Sequence, residues 1–173
     1  MKKSRRILTF ALILVLMFSL SASAFGDGAK HQSTKEYMDA LSTVAGISCE
    51  PGEIVKLAGK EYEIVSVRYS GDRTWHESAF VAGVCEDGTD VILSMNFLQF
   101  DPKNLVDVLL AVNDLNAGTT GTKIYVDRSD NTIAAEMYLI MGEEMDRDIA
   151  LTGTTTFIGF TDTMYDSLVQ FAA

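Results

Sequence analysis

The stretch from Asp101 to Met141 constrains the fold most, because it combines a capped helix with a strand hairpin. Asp101 is a good N-cap residue, and Pro102 suits the first helical position, where its missing N–H costs nothing. Apolar residues at helical spacing follow, namely Leu105, Val106, Leu109, Val112 and Leu115. Gly118 favours a helix stop. The pattern predicts one helix from this proline to this glycine, with that stripe buried.

Two short runs rich in strand-forming residues come after the glycine. They are Thr122–Asp127 and Thr132–Met141, and the polar turn Arg128–Asn131 joins them. Earlier in the chain, turn residues separate four further predicted strands, Glu53–Leu57, Glu61–Tyr69, Ser78–Cys85 and Asp90–Phe100. Asp87-Gly88 is a strong hairpin signal, since both residue types tolerate positive φ. Asp90–Phe100 has apolar residues on both sides, which indicates a central or partly covered strand.

A helix is predicted at each end of this pattern. Ser33 and Glu36 form a capping box ahead of an apolar stripe that ends near Gly46. Thr154–Ala172 repeats apolar residues at helical spacing. Strands joined by tight turns pair antiparallel, and helices gathered on one face of them make an α+β fold. We therefore expect a two-layer sandwich, with an antiparallel sheet and helices on one face. Its order is helix, three or four strands, helix, two strands, helix.

The N-terminus has the features of a bacterial secretion signal. Four basic residues precede the apolar run Ile7–Leu20, and Ala22–Ala24 has the small-residue pattern of a cleavage site. The run is short for a membrane span, although an uncleaved anchor is the alternative. We expect residues 1–24 to be removed, 25–32 to form a disordered leader and 33–173 to be one domain. The mature protein would be exported, periplasmic or extracellular, with no stable membrane insertion.

The charge of the mature chain argues against polyanionic partners, namely nucleic acid and anionic lipid surfaces. Removing 24 of 173 residues leaves 149, and ten Lys and Arg then face 24 Asp and Glu, for a net charge of −14. Such a field repels nucleic acid and anionic lipid. A solvated acidic surface is the simplest interpretation.

Two cysteines, Cys49 and Cys85, remain in the mature chain. In an oxidising compartment they could pair, and a loop of that length would stabilise the fold by roughly 4 kcal/mol. The alternative is two buried thiols that behave as small apolar side chains. Both interpretations stay open at the level of sequence, because pairing depends on the distance between the two residues.

No pattern in the sequence indicates a catalytic, cofactor or metal site. The histidines are His31, in the leader, and His76, and neither has zinc-ligand spacing. Four acidic residues between 143 and 148 lack the calcium-loop pattern, so we expect a solvated connection. Nucleophile, dinucleotide and phosphate-loop motifs are absent from the sequence.

Two pairs of residues are candidates for contacts with a ligand or partner. Trp75 and His76 follow a turn and could bind a partner, although a Trp covering a sheet edge is as good an interpretation. Asn113 and Asn116 could contact a ligand, but side-chain bonds to the backbone at the helix end are favoured.

Several local segments resemble the YbjN family of small bacterial proteins. They are Val112–Asn116 at the helix end, the strands Lys123–Asp127 and Ile133–Leu139, and the closing helix Phe157–Phe171. The resemblance implies a fold similar to that of type III secretion chaperones, two-layered and often dimeric. It also implies a role in regulating sensory transduction, and it brings no catalytic residues.

These observations lead to a functional hypothesis without an enzymatic reaction. We expect an exported regulatory or interaction domain that binds a protein or peptide partner in a chaperone-like way, or forms a homodimer, through an apolar sheet face. The alternative is an extracytoplasmic small-ligand sensor with a pocket between sheet and helices. A hydrolase is disfavoured because histidine is scarce.

Overall fold

Three α-helices and six strands follow one another within residues 28–70 and 78–173, which a computed structural model describes. The helices are α1 (Gln32–Leu41), α2 (Leu105–Ala117) and α3 (Arg147–Leu168). The strands are β1 (Ile47–Leu57), β2 (Lys60–Tyr69), β3 (Ser78–Cys85), β4 (Asp90–Gln99), β5 (Thr122–Asp127) and β6 (Thr132–Ile140). Short 3-10 turns, Pro102–Asn104 and Val169–Phe171, precede α2 and follow α3. The predicted order of elements is confirmed, with four strands before α2.

The six strands form one antiparallel sheet in the order β1-β2-β3-β4-β6-β5. The first four are joined by successive turns, so each pairs with the next. After β4, helix α2 leads the chain to β5, which forms the edge of the sheet opposite β1. Strand β6 then lies between β4 and β5 and pairs with both. Strand β4 therefore lies inside the sheet, as its two apolar sides predicted. The expected α+β class is confirmed.

The buried residues of all three helices pack against one face of this sheet. Helices α1 and α3 cover its first half, where the ring of Phe157 contacts that of Phe80 at a centroid distance of 5.3 Å. The hydroxyls of Tyr37 and Thr154 share a buried hydrogen bond of 3.0 Å between these two helices. Further along, α2 and the end of α3 enclose a second apolar cluster. Its members are Leu98, Phe100, Val108, Val112, Ile124, Ile133, Met164 and Leu168.

The buried side of α2 differs from the prediction. Val108 and Val112 are buried, whereas Val106 and Leu109, two members of the predicted stripe, are 68% and 42% exposed. The helix starts at Leu105, after a 3-10 turn in which the Asp101 side chain accepts a hydrogen bond from the N–H of Lys103. The helix is apolar almost all round, so its contact with β5 decides which side is buried.

Both other helices begin differently from the sequence prediction. Ser33 does not form a capping box: its hydroxyl donates to the carbonyl oxygens of Cys85 and Glu86, at 2.8 and 3.1 Å. Helix α3 starts at Arg147 rather than Thr154, because the Asp146 side chain caps it by accepting from two backbone N–H groups. Part of the predicted acidic connection is therefore helical.

Strand β1 is longer than predicted because it continues through a bulge. It starts at Ile47, and its register to β2 shifts between Pro51 and Ile54. Proline is tolerated there because β1 is an edge strand and the bulge needs no ladder hydrogen bond from it. In the described part of the chain, no helix has the length and apolarity required to cross a membrane.

Candidate functional site

The face of the sheet opposite the helices carries exposed apolar side chains. Tyr138 and Ile140 project from β6 and are 57% and 78% exposed. The cross-strand partner of Tyr138 is Ile92, which packs with Tyr62 and Cys85 in a small apolar cluster on the same face. We call this surface the helix-free face, and define it by Tyr62, Cys85, Ile92, Ser94, Tyr125, Glu136, Tyr138 and Ile140. It offers apolar contact area that the helices do not cover.

Polar groups lie among these apolar residues. Ser94 on β4 pairs with Glu136 on β6, and Tyr125 lies on the neighbouring strand β5. The hydroxyl oxygens of Ser94 and Tyr125 are buried and make no hydrogen bond of normal geometry with a described residue. Buried hydroxyls without a partner are unfavourable. The helix-free face therefore has hydrogen-bonding capacity that its own residues leave unused.

Burial raises the pKa of two ionisable groups on this face. Desolvation is the main cause of the raised pKa of Glu136, opposed by a hydrogen bond from Tyr138 and by the charge of Lys123. Desolvation also raises the pKa of Tyr125, with the charge of Glu136 as the next cause, while the nearby Ser94 hydroxyl opposes the shift through a contact outside normal hydrogen-bond geometry. The phenol is therefore protonated at neutral pH and can donate a hydrogen bond to a ligand or partner.

Helix α2 offers a second exposed apolar surface. Val106, Leu109 and Leu110 lie on its solvent side, with Leu110 61% exposed. These positions are one helical turn apart, so they form one continuous patch. It contains no buried polar group of the kind found on the helix-free face.

The predicted structural role of the helix-end asparagines is confirmed for Asn116. Its side-chain amide donates to the carbonyl of Ile124 at 2.7 Å, and its side-chain oxygen accepts from the N–H of the same residue at 2.9 Å. The pair of bonds fixes β5 to the end of α2. Asn113 is exposed on α2.

Of the two interpretations left open for the cysteines, the structure has two separate thiols, because the cysteines lie on opposite faces of the sheet. Cys49 pairs with Val67 and packs against the core under the helices, whereas Cys85 pairs with Tyr62 on the helix-free face. Both thiols are free. The two pairing positions, Tyr62 and Val67, are five residue steps apart along β2, or about 17 Å of strand, far beyond the reach of a disulfide.

Trp75 and His76, the predicted partner-binding pair, lie outside the described residues. The same holds for the predicted signal peptide, residues 1–24. The predicted leader is described only from Gly28, and there it differs from the expectation of disorder. The backbone N–H groups of Lys30 and His31 donate to the buried carboxylate of Glu63, at 2.9 Å each.

This attachment creates a cluster that sequence spacing did not indicate. His31, Glu61 and Glu86 each place one potential ligand atom within 4.8 Å of the other two. Successive members are 30 and 25 residues apart in sequence, so no short motif contains them. A sequence signal would have required pairing the predicted strands Glu61–Tyr69 and Ser78–Cys85 antiparallel, which brings Glu61 and the residue after Cys85 side by side.

A surface hollow of about 310 Å³ lies between the end of β6 and the start of α3. Its lining consists of Met141, Glu143, Glu144, Met145, Asp146, Arg147 and Asp148. Four of the seven side chains are acidic, and three of those four are exposed, as expected for a solvated connection. The hollow does not lie between the sheet and the helices, where a small-ligand pocket was expected.

Comparison with known proteins identifies one family. Residues 60–169 match the family model YbjN, which is described as "Putative bacterial sensory transduction regulator". No curated protein and no solved structure gives a significant match. The matched range covers more than half of the chain and runs from β2 to the turn after α3. It confirms the resemblance drawn from the second half and extends it to β2, β3 and β4. The chain belongs to the YbjN family.

Proposed function

We propose that this protein is an exported, non-enzymatic regulatory domain that binds a protein or peptide partner through its helix-free face. The family description supports a regulatory role. The N-terminal secretion pattern supports export. The observation that carries the choice of surface is the pair Tyr138 and Ile140, 57% and 78% exposed near two buried hydroxyls that make no hydrogen bond of normal geometry with a described residue.

The chemistry of this face describes the partner it would accept. Exposed aromatic and aliphatic side chains contribute most when a partner buries them completely. The Ser94 and Tyr125 hydroxyls then require donors or acceptors from the partner, since their own neighbours supply none of normal geometry. A protein segment that combines an apolar anchor with free backbone N–H and C=O groups meets both requirements.

Capture from the exported fraction of the source cells tests this proposal. We expect the wild-type protein to retain a partner that the double variant Tyr138→Ser, Ile140→Ser does not. The matched control is Val106→Ser, Leu110→Ser, which removes comparable apolar area from α2. Retention by the β6 variant together with loss by the α2 variant would contradict the choice of surface.

Two further measurements address self-association and export. Sedimentation velocity at high micromolar concentration distinguishes a homodimer from a monomer that needs another partner. If the protein is a homodimer, the double variant of β6 should be monomeric.

The intact mass of the protein secreted by a bacterial host should correspond to a chain that starts at Phe25. A cytoplasmic product that keeps its first 24 residues would contradict export.

The alternative function is an extracytoplasmic small-ligand sensor. Its requirement is an apolar pocket between sheet and helices. The acidic hollow beside α3 does not meet this requirement, because it lies at the surface and is lined largely by charged groups.

A further inference from the structure

His31, Glu61 and Glu86 come together where the segment before α1 crosses the end of the β2–β3 hairpin. Their potential ligand atoms all lie within 4.8 Å of one another. The two strands place the glutamates side by side, since the N–H of Glu86 donates to the carbonyl of Glu61 at 2.9 Å. The cluster is thus built from three separate parts of the chain.

The backbone around the histidine is fixed on both sides. The N–H of His31 donates to Glu63 at 2.9 Å, and Ser33, two residues later, donates its hydroxyl to the carbonyls of Cys85 and Glu86. These bonds hold the imidazole against the glutamates without using its ring nitrogens. A pre-positioned backbone reduces the entropy lost when side chains converge on a ligand.

One ring nitrogen of His31 lacks a hydrogen-bond partner among the described residues. Nδ1 of His31 is buried and makes no hydrogen bond with a described residue. A buried nitrogen atom without a hydrogen-bond partner is energetically unfavourable. A neutral imidazole presents one nitrogen with a free lone pair, and the imidazole of histidine is the commonest side-chain ligand of metal ions.

We propose that His31, Glu61 and Glu86 bind a divalent transition-metal ion of the zinc type. One imidazole nitrogen with two carboxylate oxygens suits zinc, whereas calcium and magnesium prefer oxygen ligands alone. In a tetrahedral zinc site the ligand atoms are about 3.4 Å apart, so the side chains need to close by at most about 1.4 Å. Glu86 is exposed and the other two are partly exposed, so an ion can enter.

Lys56 is the competitor of the metal at this cluster. Its ammonium contacts Glu61 Oε1 at 2.8 Å, and the lysine side chain is 75% exposed. Exposed ion pairs are weak, because water screens both charges, so a divalent ion can displace the lysine. Removal of the lysine should therefore tighten metal binding. If zinc bound only to acidic residues elsewhere on the surface, removal of Lys56 would not change its affinity.

Isothermal titration of the purified, untagged protein with ZnCl₂ tests the proposal. We expect one ion per chain, at least about tenfold weaker binding in each of His31→Gln, Glu61→Gln and Glu86→Gln, and tighter binding in Lys56→Gln. His76→Gln is the matched control for histidine, and the double variant Glu143→Gln, Glu144→Gln is the control for the acidic hollow. Both should bind zinc like the wild type.

The outcome that overturns the proposal is unchanged zinc affinity in His31→Gln, or loss of binding in the Glu143, Glu144 double variant alone. Nuclear magnetic resonance of the wild type gives a readout that does not depend on a variant's folding. The sequence has two histidines, so two sets of imidazole signals are expected, and His76→Gln assigns them. Zinc should shift the His31 signals; a shift confined to His76 would contradict the site.

Discussion

At the scale of single residues, Glu63 shows how a buried charged side chain organises the N-terminal segment. It is fully buried, and its carboxylate oxygens accept the N–H groups of Lys30 and His31. A charged acceptor at 2.9–3.0 Å makes stronger hydrogen bonds than a neutral one. Sequence reasoning treated residues 25–32 as disordered, since a leader of Gly, Asp and Lys has no periodicity that would reveal a distant acceptor.

Replacement of Glu63 by alanine should release this segment. We expect the free energy of unfolding to fall by about 3 kcal/mol, because two backbone donors lose a charged acceptor and a cavity forms. Urea denaturation measures the loss, and hydrogen exchange should show faster exchange at Lys30 and His31. Glu53→Ala, at an exposed position of the neighbouring strand, should change stability by less than about 0.5 kcal/mol. Equal effects of the two variants would contradict this role.

Glu136 should make stability fall as pH rises. Its pKa is raised in the folded protein, chiefly by desolvation, so the folded state holds more protons than the unfolded state between the two pKa values. The free energy of unfolding then decreases from about pH 4 upward through that window. Glu136→Gln should be more stable than the wild type at pH 7, by up to about 1 kcal/mol, and equal to it near pH 3.

Urea denaturation at both pH values measures this difference. The exposed Glu143→Gln serves as the control and should not alter the pH dependence. A Glu136→Gln variant that is less stable than the wild type at pH 7 would show that the carboxylate makes a favourable contact instead.

The thiols should remain reduced and react slowly in the folded protein. Burial raises the pKa of Cys49 to about 11 and also raises that of Cys85, so little thiolate forms near neutral pH. Alkylation in denaturant without reductant should add two labels by mass spectrometry, and alkylation of the native protein far fewer. A product without labels in denaturant would reveal a disulfide and contradict the arrangement on opposite faces.

At the scale of elements, α3 depends on close contact with β6. A Cβ added at Gly153 would lie 2.8 Å from Cδ1 and 3.1 Å from Cγ of Leu139, which is 7% exposed. The absent side chain at this glycine therefore sets how closely the helix approaches the sheet. Gly159, in the same helix, has no neighbour within 4 Å of such an atom.

Alanine at these two glycines should have opposite effects. Gly153→Ala should lower the free energy of unfolding by about 1–3 kcal/mol, because Leu139 must leave its packed position. Gly159→Ala should raise it by up to about 1 kcal/mol through helix propensity alone. Thermal or urea denaturation of both variants checks the prediction. A stabilising Gly153→Ala would show that the contact with Leu139 is loose.

Element types were predictable, but the buried sides and the first residues of the helices were not. Hairpin signals such as Asp87-Gly88 act locally, and the predicted strands agree with β3 and β5 to the residue. The buried side of α2 depended on its position against β5. Ser33 likewise bonds β3 carbonyls instead of its own helix, because those acceptors lie within reach only in the folded chain.

At the scale of the whole molecule, two apolar clusters share one sheet and one helix. Phe157 belongs to the cluster under α1, and Met164 and Leu168 belong to the cluster under α2. The strands β4 and β6 also contribute to both clusters. Because α3, β4 and β6 run through both clusters, neither half can lose its packing without loosening elements on which the other half depends.

The domain should therefore unfold in a single transition. Far-ultraviolet circular dichroism and the methyl resonances of residues from each cluster should report the same urea midpoint. Phe157→Ala should lower that midpoint for both clusters together, with a loss of about 3–5 kcal/mol. Separate midpoints for Val65 and Val108 methyl groups would contradict the coupling through α3.

The sequence by itself determined the α+β class, the order of elements, the family and the acidity, because each depends on residue spacing along the chain or on its composition. Only the tertiary structure decided that Cys49 and Cys85 lie on opposite faces, that Tyr138 and Ile140 stay uncovered, and that His31 lies beside Glu61 and Glu86. These depend on strand register and on contacts between residues far apart in sequence. Such contacts form when the sheet and its helices pack, and no local pattern specifies them.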